Sequence, residues 1–312
     1  MPIFFSALIA VAVLLLVASP GYVFIKKRFV SDECISAFSK LLLFVCQPAL
    51  VIYTFISTEF SVEMLRDLGI FVIASVLIHA VMLISVTLIL RKRFSSVAAR
   101  ISTIAVTFAN SAFFGIPIIE AVMGESAEGL IIYTTVYAMV MNLLGWTVGS
   151  AIISKSKKYI TVKKLFINPY MISVLIALPL FIFSPEIPSQ LSNMITVLGK
   201  ATSPLSMIII GMRLAKVDII KLVKNAKIYL VSVTKLVLMP LVAFIIVYFF
   251  PIGADAKSVF YIIAACPTAS IVLNFSELIG EGQEEAVSSV LMTTVLSVVT
   301  LPLMMLMLPL FN

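Results

Sequence analysis

Long apolar runs of about 20 residues, separated by short clusters of charge, Gly and Pro, constrain this chain more than any other feature. Each run is long enough to cross a roughly 30 Å hydrocarbon core as a helix. Ten can be counted, over residues 3–25, 34–57, 68–90, 101–123, 129–153, 166–184, 190–212, 227–250, 258–279 and 285–310. The connections are too short to hold a soluble domain; the central one, 154–165, is about a dozen residues. Residues 62% hydrophobic and 12% charged leave too little polar surface to coat a soluble fold, in which roughly 45–50% is apolar. The expectation is therefore an all-α integral membrane protein of ten transmembrane helices.

The charges fix an orientation. The net charge of +7 does not point to nucleic acid, because the basic residues sit between apolar runs rather than on one polar face. Loops 1, 3, 5 and 7 carry 17 of the 22 Lys and Arg, among them Lys26-Lys27-Arg28, Arg91-Lys92-Arg93, Lys157-Lys158, Lys163-Lys164 and Lys216. Loops 2, 4, 6 and 8 carry only Arg66 and Lys257. The positive-inside rule then places the odd loops in the cytoplasm and both termini outside. The first run has no basic stretch before it and one after it, the reverse of a cleaved signal peptide. Cys34, Cys46 and Cys266 lie in apolar runs and read as small buried hydrophobes rather than a disulfide framework.

Ten spans divide into five and five, which inverts the second half, 157–312, relative to the first, 1–156. A shift of 156 residues lays Gln47-Pro48 on Ser203-Pro204 and Gly124-Glu125 on Gly280-Glu281. Inverted repeats are a transporter device, with the site near the midplane at the repeat interface. The fourth and ninth runs are interrupted at matching depths. The fourth reads Asn110-Ser111-Ala112-Phe113-Phe114-Gly115-Ile116-Pro117, and the ninth Cys266-Pro267-Thr268-Ala269-Ser270 through Asn274. Proline frees backbone groups that lipid cannot satisfy, so such breaks persist only inside protein or beside a cavity. Pro117 suits the first turn of a new half-helix, and Thr268 and Ser270 can cap another. Two half-helix N-termini facing one midplane region favour an anion. The plain alternative is a pair of proline kinks without a ligand.

Ionisable groups inside spans are costly and mark function. His79 lies mid-span, and the 156-residue shift sets it on Lys235; either could pair with an anion or relay a proton, or be a packed histidine and a snorkelling lysine. Lys200 precedes Pro204 as a charge partner or gate, and Glu120 follows Pro117, where it complements a helix N-terminus or binds a coupling cation. Lys40 and Glu277 read as rim residues. All four aspartates are in loops, there is one histidine, and no Gly-x-Ser-Gly occurs, which argues against an intramembrane aspartyl, zinc or serine protease. A channel stays open as an alternative, because broken helices also line pores.

With these residues in view the chain resembles the auxin efflux carrier family in its short prokaryotic form, which includes malate and malonate permeases. Ser39-Lys40-Leu41 with Pro48-Ala49-Leu50, Asn110 through Gly124, Asn168-Pro169, Ser203-Pro204 through Gly211, Pro267-Thr268-Ala269-Ser270 to Gly280, and Thr300-Leu301-Pro302-Leu303 carry the resemblance. It implies two inverted five-helix repeats with helices 4 and 9 broken and crossing, on a fold related to sodium/bile-acid symporters. Spans three to five and eight to ten would move against a scaffold of one, two, six and seven. It implies binding residues at Asn110, Ser111, Gly115, Pro117, Pro267, Thr268 and Ser270, to which the break adds Asn274. No cofactor or metal is expected. The expected cargo is a small organic anion in the cell membrane, coupled to H+ or Na+, with homodimerisation left open; the short loop five departs from plant auxin carriers and favours a dicarboxylate or similar metabolite. Sodium-coupled symport of larger anions is the runner-up.

Overall fold

The computed structural model describes residues 3–155 and 168–311, and all regular structure among them is helical. Lys157, Lys158, Lys163, Lys164 and the middle of loop five lie outside the described residues. In chain order the helices are α1 (Ile3–Lys26), α2 (Glu33–Ile56), α3 (Val62–Leu90), α4 (Val97–Thr107), α5 (111–123), α6 (127–154), α7 (Pro169–Phe183), α8 (Ser189–Ala215), α9 (Ile219–Lys224), α10 (Ala226–Tyr248), α11 (Ala254–Ala265), α12 (Ile271–Ile279) and α13 (Gln283–Met305). Among the described residues, seven continuous helical stretches are long and apolar enough to cross a membrane. The shorter α4, of 11 residues, would span only roughly 16 Å, and α11, of 12, little more. They are short for a reason the sequence states: each runs into an interruption.

Outward faces are apolar. Leu16, Ile73, Ile89, Phe183, Leu230 and Phe249 are each more than 60% exposed, a surface that hydrocarbon tolerates and water does not. Inward hydroxyls are silenced by their own helices. Ser75 donates to the Phe71 carbonyl at 2.7 Å, Thr103 to Ala99 at 2.9 Å and Thr294 to Val290 at 2.7 Å. Such back-bonding leaves few unsatisfied groups where no water can compensate.

Prolines leave a recurrent mark. Pro48, Pro117 and Pro240 each stand in the first turn of a regular helix that follows a π-helical turn, at Leu42–Cys46, Ser111–Gly115 and Thr234–Leu238. A missing N–H leaves an upstream carbonyl without its partner, and one widened turn re-spaces the ladder so that the helix continues. Half-helix α5 therefore begins at Ser111, six residues before the Pro117 expected to open it.

Packing divides the helices. α2 lies against α7 and α8, and α1 lies along α8; α3 packs on α4, α6 and α10, α11 on α6 and α10, and α13 on α4 and α12. α1 also touches α5 and α13, so the two sets share a long face. The α1–α8 seam is backbone against backbone. A methyl added to Gly21 would overlap the Ile208 carbonyl, and one added to Gly211 would overlap the Ala18 carbonyl. Small residues permit this approach, and dispersion, rather than water release, holds helices together in lipid.

The interruptions meet. Ala109 and Thr268 form an isolated antiparallel bridge, in which the Asn110 N–H donates to the Pro267 carbonyl at 2.8 Å and the Ala269 N–H to the Phe108 carbonyl at 2.9 Å. The Thr268 N–H reaches Thr293 Oγ1 at 3.1 Å, and Thr268 Oγ1 donates to the Ala105 carbonyl at 2.8 Å. Thr268 thus does not cap α12 as its position suggested; its hydroxyl stitches the break to the end of α4. Ser270 stands at the start of α12 without a side-chain capping bond. At their far ends α5 and α12 stop on Gly124 (φ 60°) and Gly280 (φ 80°), a left-handed backbone that glycine adopts without cost.

Gly211→Leu is expected to cost about 3 kcal/mol or more by forcing the α1–α8 seam apart, seen as a fall in melting temperature and loss of monodisperse detergent-purified protein. Thr268→Val, nearly isosteric, should cost about 1–3 kcal/mol by stripping one bond from the crossing, whereas Thr268→Ser should melt near wild type.

Candidate functional site

Beside the crossing lies a cavity of about 280 Å³. The break supplies Asn110, Ser111, Ser270 and Asn274; α2 supplies Gln47, α6 supplies Asn142 and Trp146, and the start of α7 supplies Asn168, Pro169 and Tyr170. Among the described residues no charged side chain lines it. Four of the eight residues expected to bind substrate are therefore gathered at one wall.

The lining groups differ in how far they are already engaged. Asn142 donates to the Ala138 carbonyl at 2.8 Å, and the Tyr170 hydroxyl to the Thr135 carbonyl at 2.6 Å. Asn168 caps α7 by accepting the Met171 N–H at 2.9 Å, which is why the chain turns into a helix there. Asn110 Nδ2 and Ser111 Oγ are buried and make no hydrogen bond among the described residues. Such groups are expensive unless something else satisfies them.

Backbone donors sharpen the picture. The N–H groups of Ala112, Phe113 and Phe114 open α5, and a helix has no internal acceptor for its first turn. At α12 the equivalent groups are largely used: Ala269 donates to Phe108, Val272 to Ala269 and Leu273 to Ser270. The two half-helix ends are thus unequal. α5 begins beside the cavity, at Ser111, Ala112 and Phe113, with first-turn donors that its own ladder does not use, while α12 contributes Ser270 and Asn274 side chains. The sequence expectation of bare N–H groups at both N-termini is narrowed: the backbone pairing uses the N–H groups of Asn110 and Ala269, and the Thr293 hydroxyl accepts that of Thr268.

The other expected residues sit off this cavity. Gly115 packs in the crossing, where an added Cβ would lie 3.5 Å from Cys266 Sγ. Pro267 contributes its carbonyl to Asn110, and Thr268 is fully buried. Pro117 lines a second cavity of about 280 Å³ on the other side of Ala112, together with Tyr53, Glu120, Lys200 and Ser203. There Lys200 Nζ lies 5.4 Å from the centre of the Tyr53 ring, facing Glu120 across the pocket. Ser203 Oγ donates to the Phe113 carbonyl at 3.1 Å, a tie between α8 and the start of α5.

His79 and Lys235 lie behind the crossing, both 0% exposed. His79 Nδ1 is 2.6 Å from the Ser75 carbonyl, the packed arrangement foreseen as its bland alternative, yet Nε2 has no partner. Its ring lies 4.9 Å from that of Tyr137, whose buried hydroxyl is also unpartnered. Lys235 does not snorkel: Nζ donates to the Ala264 carbonyl at 3.0 Å. Its distance from the helix end along the chain had suggested otherwise, but α11 packs across it and takes the amine inward.

A third and larger space, about 770 Å³, opens at the end carrying the basic loops. Asp32, Lys40, Arg213, Lys216, Asp218 and Glu277 line it, and it shares Leu43 and Asn274 with the site cavity. Two ion pairs cross its walls, Arg213–Glu277 at 3.2 Å and Lys216–Asp32 at 2.8 Å. Glu277 is accordingly the rim residue expected. Sequence reasoning did not place Gln47, Asn142, Trp146, Asn168 or Tyr170 in the site. Asn142 was findable as an amide within an apolar run; the aromatic pair carried no signal.

A family model described as membrane transport protein, that of the auxin efflux carriers, matches residues 6–305. No curated protein matches the chain. With nearly the whole sequence covered by that model, the chain belongs to the auxin efflux carrier family and is a membrane transporter, not an enzyme, in contact with a bilayer and a transported substrate.

Proposed function

We propose that the protein is a secondary active transporter that carries a small organic anion, of the dicarboxylate or monocarboxylate type, across the cell membrane. One observation carries this reading: the cavity at the crossing offers amide, hydroxyl and first-turn N–H donors and, among the described residues, no fixed charge. Donors alone suit an anion, and a helix N-terminus adds a favourable potential. With no ammonium or guanidinium among the described residues of its lining, the carboxylate is held firmly enough to cross but not so firmly that it stays. A volume of about 280 Å³ is at the small end of ligand pockets, roughly 300–1,000 Å³, which favours a compact metabolite over the larger anions of the runner-up reading.

The same reading takes the architecture as ten spans in two inverted five-helix repeats, with both termini outside and the basic end in the cytoplasm. The site is then reached from the cytoplasm through the larger vestibule, while Lys200 and Glu120 guard the outer side. Alternating access would move α3–α6 and α10–α13 against α1, α2, α7 and α8 as an elevator. The Arg213–Glu277 pair and the Ser203–Phe113 bond bridge those sets and must break in each cycle.

Uptake of labelled malate, malonate and lactate into proteoliposomes tests the reading. Asn110→Ala, which removes a buried donor to a charged ligand, is expected to lower uptake by about 10- to 100-fold at normal expression; uptake equal to wild type would remove Asn110 from the site. In a Cys34→Ser background, a bifunctional maleimide joining Arg213→Cys to Glu277→Cys should stop uptake, while either single variant keeps it. Transport that survives the cross-link would rule out relative movement of α8 and α12.

A further inference from the structure

Lys92, Arg93 and Lys227 meet at the mouth of a groove that the crossing does not use. The groove, of about 570 Å³, lies where three helices part at the end carrying the basic loops. α10 packs on α3 through its second half, Met239–Tyr248, while its first half, Ala226–Val233, packs on α4 and α13. α3 and α10 therefore splay toward that end, and α4 forms the floor between them. Small side chains keep the floor low: Ala98, Ala99 and Ser102, whose hydroxyl already donates to the Ala98 carbonyl at 2.7 Å.

Walls and mouth differ in chemistry. Val86, Ile89, Val106, Leu230 and Leu238 make the walls apolar, and Ile89, Leu230 and Leu238 are exposed on the outer face of the body. The mouth carries the three cations with Ser95 and Ser96. Among the described residues no acidic side chain lines the groove, and none of the three cations has a carboxylate within 4 Å. The larger vestibule is different, since both signs line it and pair there. Ser96 stands at the start of α4 without a side-chain capping bond, so the first-turn N–H groups of that 11-residue helix stay open to an acceptor. Behind the turn Arg100 Nη1 and Lys155 Nζ donate to the Ser95 carbonyl at 3.1 and 3.2 Å and hold it in place.

The dimensions narrow the occupant further. From Ser96 to Val106 on α4, and from Lys227 to Leu238 on α10, the lining runs roughly 15–16 Å at about 1.5 Å per helical residue. That is about half of a roughly 30 Å hydrocarbon core, the depth of one leaflet. A soluble anion would gain nothing from the apolar walls, and an uncharged amphiphile nothing from the cations. We propose that the groove binds one anionic phospholipid, its phosphate held by Lys92, Arg93 and Lys227 and an acyl chain lying on α4 between α3 and α10. The guanidinium can fork two phosphate oxygens while the lysines add charge, and basic pockets between spanning helices are a recurrent seat for such headgroups. Val106, at the inner end, is two residues from Phe108 of the crossing, so the chain braces the back of the helix that carries the break. The assignment stands on the groove and is independent of the cargo.

The test needs no substrate. Purified protein, delipidated in detergent, is melted with added phosphatidylglycerol, with phosphatidylcholine of the same chains, and with inorganic phosphate. Phosphatidylglycerol at about a hundredfold its Kd is expected to raise the melting temperature by about 3–6 °C, with the other two leaving it near the lipid-free value. The combined Lys92→Gln, Arg93→Gln and Lys227→Gln variant should lose the rise. Lys26→Gln, Lys27→Gln and Arg28→Gln together, which remove the same charge from loop one, should keep it. The proposal is overturned by no rise with phosphatidylglycerol, by an equal rise with phosphatidylcholine or with phosphate alone, by a groove variant that keeps the rise, or by a loop-one variant that loses it. Lys227→Gln, a single exposed change that should weaken the rise, stands in if the groove variant does not fold. Failure to take up any organic anion would strike the transport reading and leave these melting curves unchanged.

Discussion

The backbone pairing between residues 108–110 and 267–269 is the constraint on which the rest depends. A helix can stop inside hydrocarbon only if the N–H and C=O groups it abandons find partners, each orphan costing several kcal/mol. Here two stops solve each other's problem, Asn110 with Pro267 and Phe108 with Ala269, and Thr268 closes the remainder. The exchange brings four helix ends to one place. Two are positive, at α5 and α12, and two negative, at α4 and α11. Fixed partial charges of both signs therefore meet at the crossing.

Those ends are used unequally. α5 keeps first-turn donors beside the cavity, while α12 has spent most of its own on Phe108, Ala269 and Ser270. On the negative side, α4 is filled by hydroxyl and amide donors from the opposite half, and α11 by an amine. The pattern is one of division of labour between sequence halves that look alike by position but differ in chemistry. Asn110 superposes on Cys266 and His79 on Lys235 under the 156-residue shift, and in each pair the two side chains do different work.

Much of this was legible from the residues. The apolar runs gave the helices, and the breaks were visible as Asn, Ser, Gly and Pro where only aliphatic residues are expected. Asn110, Ser111 and Ser270 came from the family resemblance, and Asn274 from its place in the break. Counting spans by length then works against a broken helix, since α4, α11 and α12 each look too short once cut. What the sequence could not carry was direction. Which face of α6 turns inward decides that Asn142 and Trp146 line the cavity, and that is settled by packing against α3 and α11. Lys235 was ambiguous for a similar reason: residue count to the helix end measures distance along an axis, not whether a neighbour lies across the way out. Gln47 and Asn168 were noticed as landmarks, but their meeting at one wall requires the fold.

The partners in the crossing, Ala109 and Thr268, stand more than half the chain apart. During synthesis α4 is made long before the segment that completes it exists. Until residue 269 emerges, the Phe108 carbonyl and the Asn110 N–H have no lasting partner in the membrane, and a nascent chain must shelter that open break with water, a neighbouring helix or the insertion machinery. Closure is then a late, long-range event, of the kind that slows folding and exposes intermediates. Truncation after the first five helices would therefore leave not half a carrier but an unfinished one.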